Sequence, residues 1–171
     1  MLFRSVQHGD FCRHNLLLSR NAKGSQLGII DWTDSKRMGL PLHDLFFFLT
    51  TYFLQVRKQV GIEGFAQAFN STFFEQNPYS SQVLECLRVH CRKMGIDIHL
   101  AQALFAMFLV ERAIFELAQV TRCSERGGLP RFTIYLANLA HLDYPEAIQA
   151  QFWIHFFKLF VMHRGEFLGS G

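Results

Sequence analysis

Two short segments near the start of the chain carry residues able to hold a divalent cation and accept a proton beside it. His8-Gly9-Asp10-Phe11-Cys12-Arg13-His14-Asn15 sets an Asp and an Asn five positions apart, and Gly28-Ile29-Ile30-Asp31-Trp32 adds a second carboxylate. Between them, Leu16 to Arg20 and Gln26 to Trp32 are apolar runs around Asn21-Ala22-Lys23-Gly24-Ser25. That pattern predicts an antiparallel hairpin with residues 21–25 as its loop. In this register Arg20 faces Gln26, and Asn15 faces Asp31. Partners across such a pair lie about 4.5–5.5 Å apart, so both side chains reach one cation if they leave the same face. A carboxylate and an amide carbonyl are hard oxygen donors, suited to Mg²⁺ that keeps part of its coordination for water and phosphate. Asp10 is not needed as a ligand. It is free to orient an attacking hydroxyl and take its proton, the part a catalytic-loop Asp plays in phosphoryl transfer.

These residues resemble the aminoglycoside phosphotransferase family, the small-molecule branch of the protein-kinase-like fold. The family's catalytic loop reads His-Gly-Asp, four residues, Asn, met here by His8, Gly9, Asp10 and Asn15. Its metal motif, Ile-Asp-Trp or similar, is followed by a Gly-x-Pro-x-x-Asp-Leu stretch. Here Ile30-Asp31-Trp32 precedes Gly39-Leu40-Pro41-Leu42-His43-Asp44-Leu45. The resemblance implies Asp10 as catalytic base, Asn15 and Asp31 as Mg²⁺ ligands, His8 as a brace of the loop, and Asp44 as the anchor of the loop backbone. It is specific over roughly residues 6 to 49; beyond them only the helical character agrees.

The resemblance further implies ATP as co-substrate, its γ-phosphoryl passing to a hydroxyl of a small molecule. A full family member begins with an N-terminal lobe whose glycine-bearing strands and lysine cover the ATP phosphates. Here His8 comes almost at once, so the expectation is a C-lobe alone: a fragment lacking its N-lobe and inactive by itself, or a lone lobe that has lost catalysis. The rival class is a non-catalytic helical binding module derived from such a lobe. Acidic residues after Asp44 are spread over the whole helical part, which favours a neutral sugar or alcohol over a polycationic acceptor.

Ordinary readings compete at several positions. His-Gly-Asp alone is a common turn, and its reading as a site rests on Asn15, Asp31 and the Pro41 to Leu45 segment occurring with it. Asp44 is equally a favourable charge in the first turn of a helix. His8, Cys12 and His14 do not match a zinc spacing, nor do Cys86, His90 and Cys91, for which buried thiols and a surface His are expected. Phe46-Phe47-Phe48 and Phe152 to Phe160 read as core rather than as an acyl-binding surface.

The elements that must position the site follow from composition, which changes near residue 42. Before it come short β-like runs, with Phe3 to Gln7 as a third strand. After it the pattern is helical. A first helix starts at Leu42, with Asp44 in its opening turn, Arg57 and Lys58 near its close and Gly61 beyond. A second covers Ile62 to Phe74, stopped by Asn77-Pro78, and a third runs from Ser81 to Met94 with Gly95 as its stop. His99 to Val120 is apolar nearly all round except for a stripe through Arg112, Glu116 and Gln119, as in the middle helix of a bundle. A shorter helix follows Pro130. Asp143 and Glu146 then make a capping box for a last helix to Met162. The expected architecture is α+β and mostly helical, one kinase-like C-lobe over residues 1–171, with the catalytic loop, hairpin and metal motif in 1–41 and a helical subdomain in 42–163.

The 171 residues carry 17 Lys and Arg against 14 Asp and Glu, a net charge of +3 with no basic cluster, so nucleic acid is not an expected partner. Half the residues are hydrophobic and 19 are Phe, which excludes disorder as a description of the chain. Four scattered cysteines suit a reducing cytoplasm better than a disulfide scaffold. No uninterrupted apolar run approaches the roughly 18 residues of a membrane span, and the first residues lack a secretory h-region. A cytoplasmic location without a membrane span is expected.

Overall fold

The computed structural model describes residues 5–21, 24–59, 64–124 and 148–169. Four strands and five helices are ordered along them: β1 (Ser5–Gln7), β2 (Leu16–Asn21), β3 (Gly24–Ile29), β4 (Lys36–Gly39), α1 (His43–Gln59), α2 (Phe65–Phe73), α3 (Pro78–Met94), α4 (Ile98–Ser124) and α5 (Ile148–His163). Short 3-10 segments occupy Arg13–Asn15 and Arg164–Gly169. The architecture is α+β and mostly helical, as expected.

The strands form two separate antiparallel pairs, β1 with β4 and β2 with β3. The register of the β2–β3 hairpin corrects the sequence reading. Arg20 pairs with Ser25 rather than Gln26, and pairing continues to Asn21 and Gly24. The backbone prefers to extend its ladder into these residues instead of leaving them in an open loop, and Gly24 accommodates the closure with φ +121°. The shift is a single residue, and in a strand one residue exchanges the two faces. β4 was not anticipated. Lys36-Arg37-Met38-Gly39 has no apolar alternation and lies at the surface, so its sequence carries no strand signal.

Among the helices, Asn77-Pro78 starts α3 instead of stopping α2. The Asn77 side chain accepts from the amides of Tyr79 and Ser80, Ser80 Oγ accepts from the Asn77 amide, and Pro78 sits in the first turn, where no intrahelical donor is lost. Gly95 closes α3 in the left-handed conformation with φ +64°. The helix expected after Pro130 and the Asp143/Glu146 capping box lie outside the described residues.

The core is phenylalanine-rich. Phe46 and Phe47 of α1, Phe69 and Phe73 of α2, Phe105 and Phe108 of α4, and Phe156 and Phe160 of α5 are buried together, with Trp153 among them. Phe69 and Phe156 stack with centroids 4.2 Å apart, and Phe46 meets Phe105 edge to face at 5.0 Å. These rings supply large apolar area with no polar atom to satisfy, which is how so short a set of helices fills its interior.

α4 departs from the expectation for a central helix. Phe105, Phe108 and Leu109 are buried, but Met107, Val110 and Ile114 are exposed on its other side. With Leu40, Ala106 and Phe157 they line an apolar groove of about 500 Å³ that has Glu111 at its edge. The window Ile98–Glu116, 19 residues of mean hydropathy 1.5, is long and apolar enough to cross a membrane by length and composition alone. Gln102 and Glu111 interrupt the apolar run of this window without lowering its mean hydropathy below that of a membrane span.

Candidate active site

Pairing of β1 with β4 brings the two motifs together. Ser5 lies opposite Gly39, so the chain from Gly39 to Leu42 runs alongside the strand that feeds His8-Gly9-Asp10. Gly39 is required by that approach: a Cβ there would stand 2.6 Å from Cβ of the buried Gln7. Leu42 then turns the backbone with φ +64° and gives its carbonyl to the amide of Phe46 at 2.8 Å, opening α1. Asp44, in the first turn, arrives beneath the loop.

Its carboxylate takes two loop amides, His8 N–H to Oδ2 at 2.6 Å and Gly9 N–H to Oδ1 at 3.0 Å. Burial pushes the Asp44 carboxyl up, yet the neighbouring His43 ring and the two amides outweigh it and hold the group below its ordinary value. His43 is itself buried, with Nδ1 3.6 Å from Asp44 Oδ1 and Nε2 3.9 Å from Glu111 Oε2.

His8 is buried and uses both ring nitrogens. Nε2 lies 2.8 Å from the Ile30 carbonyl and must donate to it, which leaves Nδ1 to accept the Asp10 amide at 3.3 Å. These two partners fix the neutral tautomer with the proton on Nε2. The ring thus joins the loop to the end of the hairpin, and Trp32 packs against it with centroids 4.7 Å apart.

Asn15 and Asp10 meet directly. The Asn15 side-chain amide donates to the Asp10 carbonyl at 2.8 Å and to Asp10 Oδ2 at 3.0 Å. Its own amide proton goes to the Cys12 carbonyl at 3.1 Å, which closes the 3-10 turn. Asp10 is half-buried. Burial raises its pKa; the Asn15 hydrogen bond and the Arg112 charge oppose the rise, and Asp34 adds to it. A carboxylate lifted in this way is a better proton acceptor than one in water.

Asn15 does not face Asp31. The Ile30 amide donates to the Asn15 carbonyl at 3.0 Å, so Ile30 is the residue opposite, one position earlier than expected. Asp31 follows in the left-handed conformation, φ +59°, and the strand rule of alternating faces stops at that residue. Its Oδ1 accepts from Thr33 Oγ1 at 2.6 Å. As Mg²⁺ donors the pair is chemically suitable. Asn15 commits its NH₂ to Asp10, and its Oδ1 accepts no hydrogen bond among the described residues. Among the described residues no three His, Cys, Asp or Glu side chains cluster as a metal site, and of Cys86, His90 and Cys91 only Cys91 is buried.

Two residues near the site escaped sequence reasoning. Asp34 acts electrostatically on Asp10, and its backbone carbonyl closes over Gly9, whose φ is +87°. Nothing in Asp31-Trp32-Thr33-Asp34 marks that role. Arg112 of α4 is buried, ion-paired with Glu116, and has Nη1 3.4 Å from the Gly9 carbonyl. A signal existed for it: a charged pair at i, i+4 inside an otherwise apolar helix.

Residues 2–76 match the family model of a phosphotransferase enzyme family, APH. This agrees with the likeness to the aminoglycoside phosphotransferase family carried by the two motifs. The match takes in His8, Asp10, Asn15, Asp31 and Asp44 and ends before α3. No curated protein and no solved structure matches the chain.

Proposed function

We propose that this chain is the catalytic C-lobe of an ATP-dependent phosphotransferase that phosphorylates a hydroxyl of a small molecule. The observation that carries the reading is the Asp10–Asn15 contact, with the loop backbone held by Asp44 and the His8 ring tying it to the hairpin. In this reading Asp10 Oδ orients the acceptor hydroxyl and accepts its proton as the oxygen attacks. The Asn15 amide keeps Oδ2 of Asp10 pointed and leaves the other oxygen for the acceptor. Asn15 Oδ1 and the Asp31 carboxylate would hold Mg²⁺, which when bound neutralises charge on the phosphates. The glycine-bearing strands and lysine expected over the ATP phosphates are not among the described residues, so turnover is proposed for the lobe together with an N-terminal ATP-binding lobe. Positioning and electrostatics are supplied by both walls of such a cleft, and one wall alone is expected to be inactive.

The test is ATP-dependent phosphorylation of a panel of neutral sugars, amino alcohols and aminoglycosides by the chain joined to an N-terminal lobe. Asp10→Asn should lower kcat by roughly 10²- to 10⁴-fold with little change in ATP binding. An Asp10→Asn protein of near-normal kcat would remove Asp10 from the role. The non-catalytic binding module draws on one observation, the apolar groove along α4, which the described residues leave open. Turnover dependent on Asp10 eliminates it.

A further inference from the structure

A buried guanidinium needs a reason. Arg112 and Glu116 are 4% and 0% exposed, and ion pairs at such depth are often replaced by apolar side chains with no loss of stability, because desolvation offsets the attraction. Holding the fold together therefore does not account for the pair. Its geometry does. One nitrogen, Nη2, is committed to Glu116, one turn along the same helix. The guanidinium carbon lies 4.6 Å from the Phe47 ring centroid and 4.7 Å from that of Phe115, so aromatic faces from α1 and α4 fix its place. With the plane so held, Nη1 is directed at the carbonyl of Gly9, 103 residues earlier, at 3.4 Å.

Gly9 is thereby held from two sides. Asp44 of α1 takes its amide, Arg112 of α4 takes its carbonyl, and the Asp34 backbone closes over its α-carbon. The carbonyl that Arg112 holds belongs to the peptide joining Gly9 to Asp10. Rotation of that peptide would swing the Asp10 side chain away from Asn15.

We infer that Arg112 is a positioning residue for Asp10, acting through the Gly9 carbonyl, with Glu116 and the surrounding rings serving to hold its fork in place. The catalytic part of this inference rests on the phosphotransferase reading; the clamp itself does not. The planar fork meets Glu116 and Gly9 at once, which a lysine ammonium on a single stem cannot reproduce at both partners.

Two variants separate the clamp from general stability. Arg112→Met with Glu116→Leu removes the ion pair without leaving a buried orphan charge, and Arg112→Lys keeps the charge while losing the fork, which provides a second protein if the first does not fold. Backbone amide exchange is followed in the 171-residue chain. The expected result is exchange at Gly9 and Asp10 at least tenfold faster in either variant, with α1 and α3 amides unchanged. Unchanged rates at Gly9 and Asp10 in a folded variant overturn the inference, as does faster exchange spread evenly over the helices. In the lobe-completed protein, kcat should fall at least tenfold at constant KM for ATP, partly restored in Arg112→Lys. Local loosening with unaltered kcat would overturn the positioning role. If the unsubstituted protein shows no turnover on any acceptor, the phosphotransferase reading fails and the catalytic role of Arg112 fails with it, while the exchange rates still decide whether the clamp exists.

Discussion

Asp44 of α1 and the His8 backbone, 36 residues apart in sequence, meet through a hydrogen bond of 2.6 Å, and the same carboxylate takes the next amide as well. A charge-assisted pair of this kind is worth more than two neutral hydrogen bonds, and its loss strands two amides in a half-buried place. Asp44→Ala should cost about 2–4 kcal/mol in denaturant unfolding, on the scale of hydrogen bonds to charged groups. The pH dependence has a definite sign. The folded Asp44 carboxyl lies below its ordinary value of 3.8, so its contribution is complete above that value and disappears as pH falls through the lower, folded one. The stability gap between the unsubstituted chain and Asp44→Asn should therefore be constant near neutral pH and narrow only below 3.8. A gap that closed between pH 5 and 7 would assign the effect to another group.

Glycines test the close approaches independently of charge. Gly9 and Gly95 both have positive φ, but a Cβ at Gly9 would collide with the Asp34 carbonyl group, while one at Gly95 meets open space. Gly95→Ala should cost about 1 kcal/mol, the backbone term alone. Gly9→Ala adds a clash with backbone that cannot swing aside, at about 1–3 kcal/mol more. Equal midpoint shifts for the two would mean that Asp34 does not sit over Gly9 in solution.

How far the sequence could be read depended on whether the signal was local. The start of α1 near residue 43 and the stop of α3 at Gly95 are set by residue types within a few positions and were legible, as was the likeness of the two motif segments, which fall inside the family match over residues 2–76. The hairpin register was not, because one pairing step between Arg20 and Ser25 or Gln26 changes no residue's suitability for a strand. Neither was β4, whose existence comes from pairing with β1 rather than from its own composition. Arg112 was visible only as part of a polar stripe. Its link to Gly9 spans 103 residues and is made by packing of α4 against the strand-bearing part of the chain, which no local pattern encodes. The open face of α4 was hidden for a related reason: an all-apolar helix does not announce which side stays uncovered.

The proposed metal ligands, Asn15 and Asp31, can be examined through binding rather than turnover. Asp31→Ala removes a full negative charge from the proposed Mg²⁺ site and Asn15→Ala a neutral carbonyl, so the first should weaken Mg²⁺-dependent nucleotide binding more than the second. Both effects should vanish when titrations are run in excess chelator. Asn15→Ala carries a second consequence, since its amide also holds Asp10. Asn15→Asp keeps an oxygen ligand but gives up the donor and places a second carboxylate beside Asp10, so it should preserve metal binding while impairing transfer. Identical losses of nucleotide affinity in Asp31→Ala and in a remote control such as His90→Ala would remove Asp31 from the site.

The hairpin carries the last prediction. Apart from half-buried Leu16, every described residue of β2 and β3 is exposed, and Leu18 faces Leu27 across the pair with 62% and 60% of their surfaces open. Ile29 and Trp32 are exposed as well, so this two-stranded ribbon, an element that is marginal in water without something packed against it, carries several open apolar side chains. The chain on its own should therefore self-associate through this ribbon. Leu18→Gln with Leu27→Gln should lower the sedimentation-average mass toward that of the monomer while leaving the melting temperature nearly unchanged, because the two side chains contribute nothing to the buried core. The α4 groove provides the internal comparison: Met107→Gln with Ile114→Gln alters an equally exposed apolar face. If the groove substitutions disperse the protein and the hairpin substitutions do not, the adhesive surface lies on α4 instead.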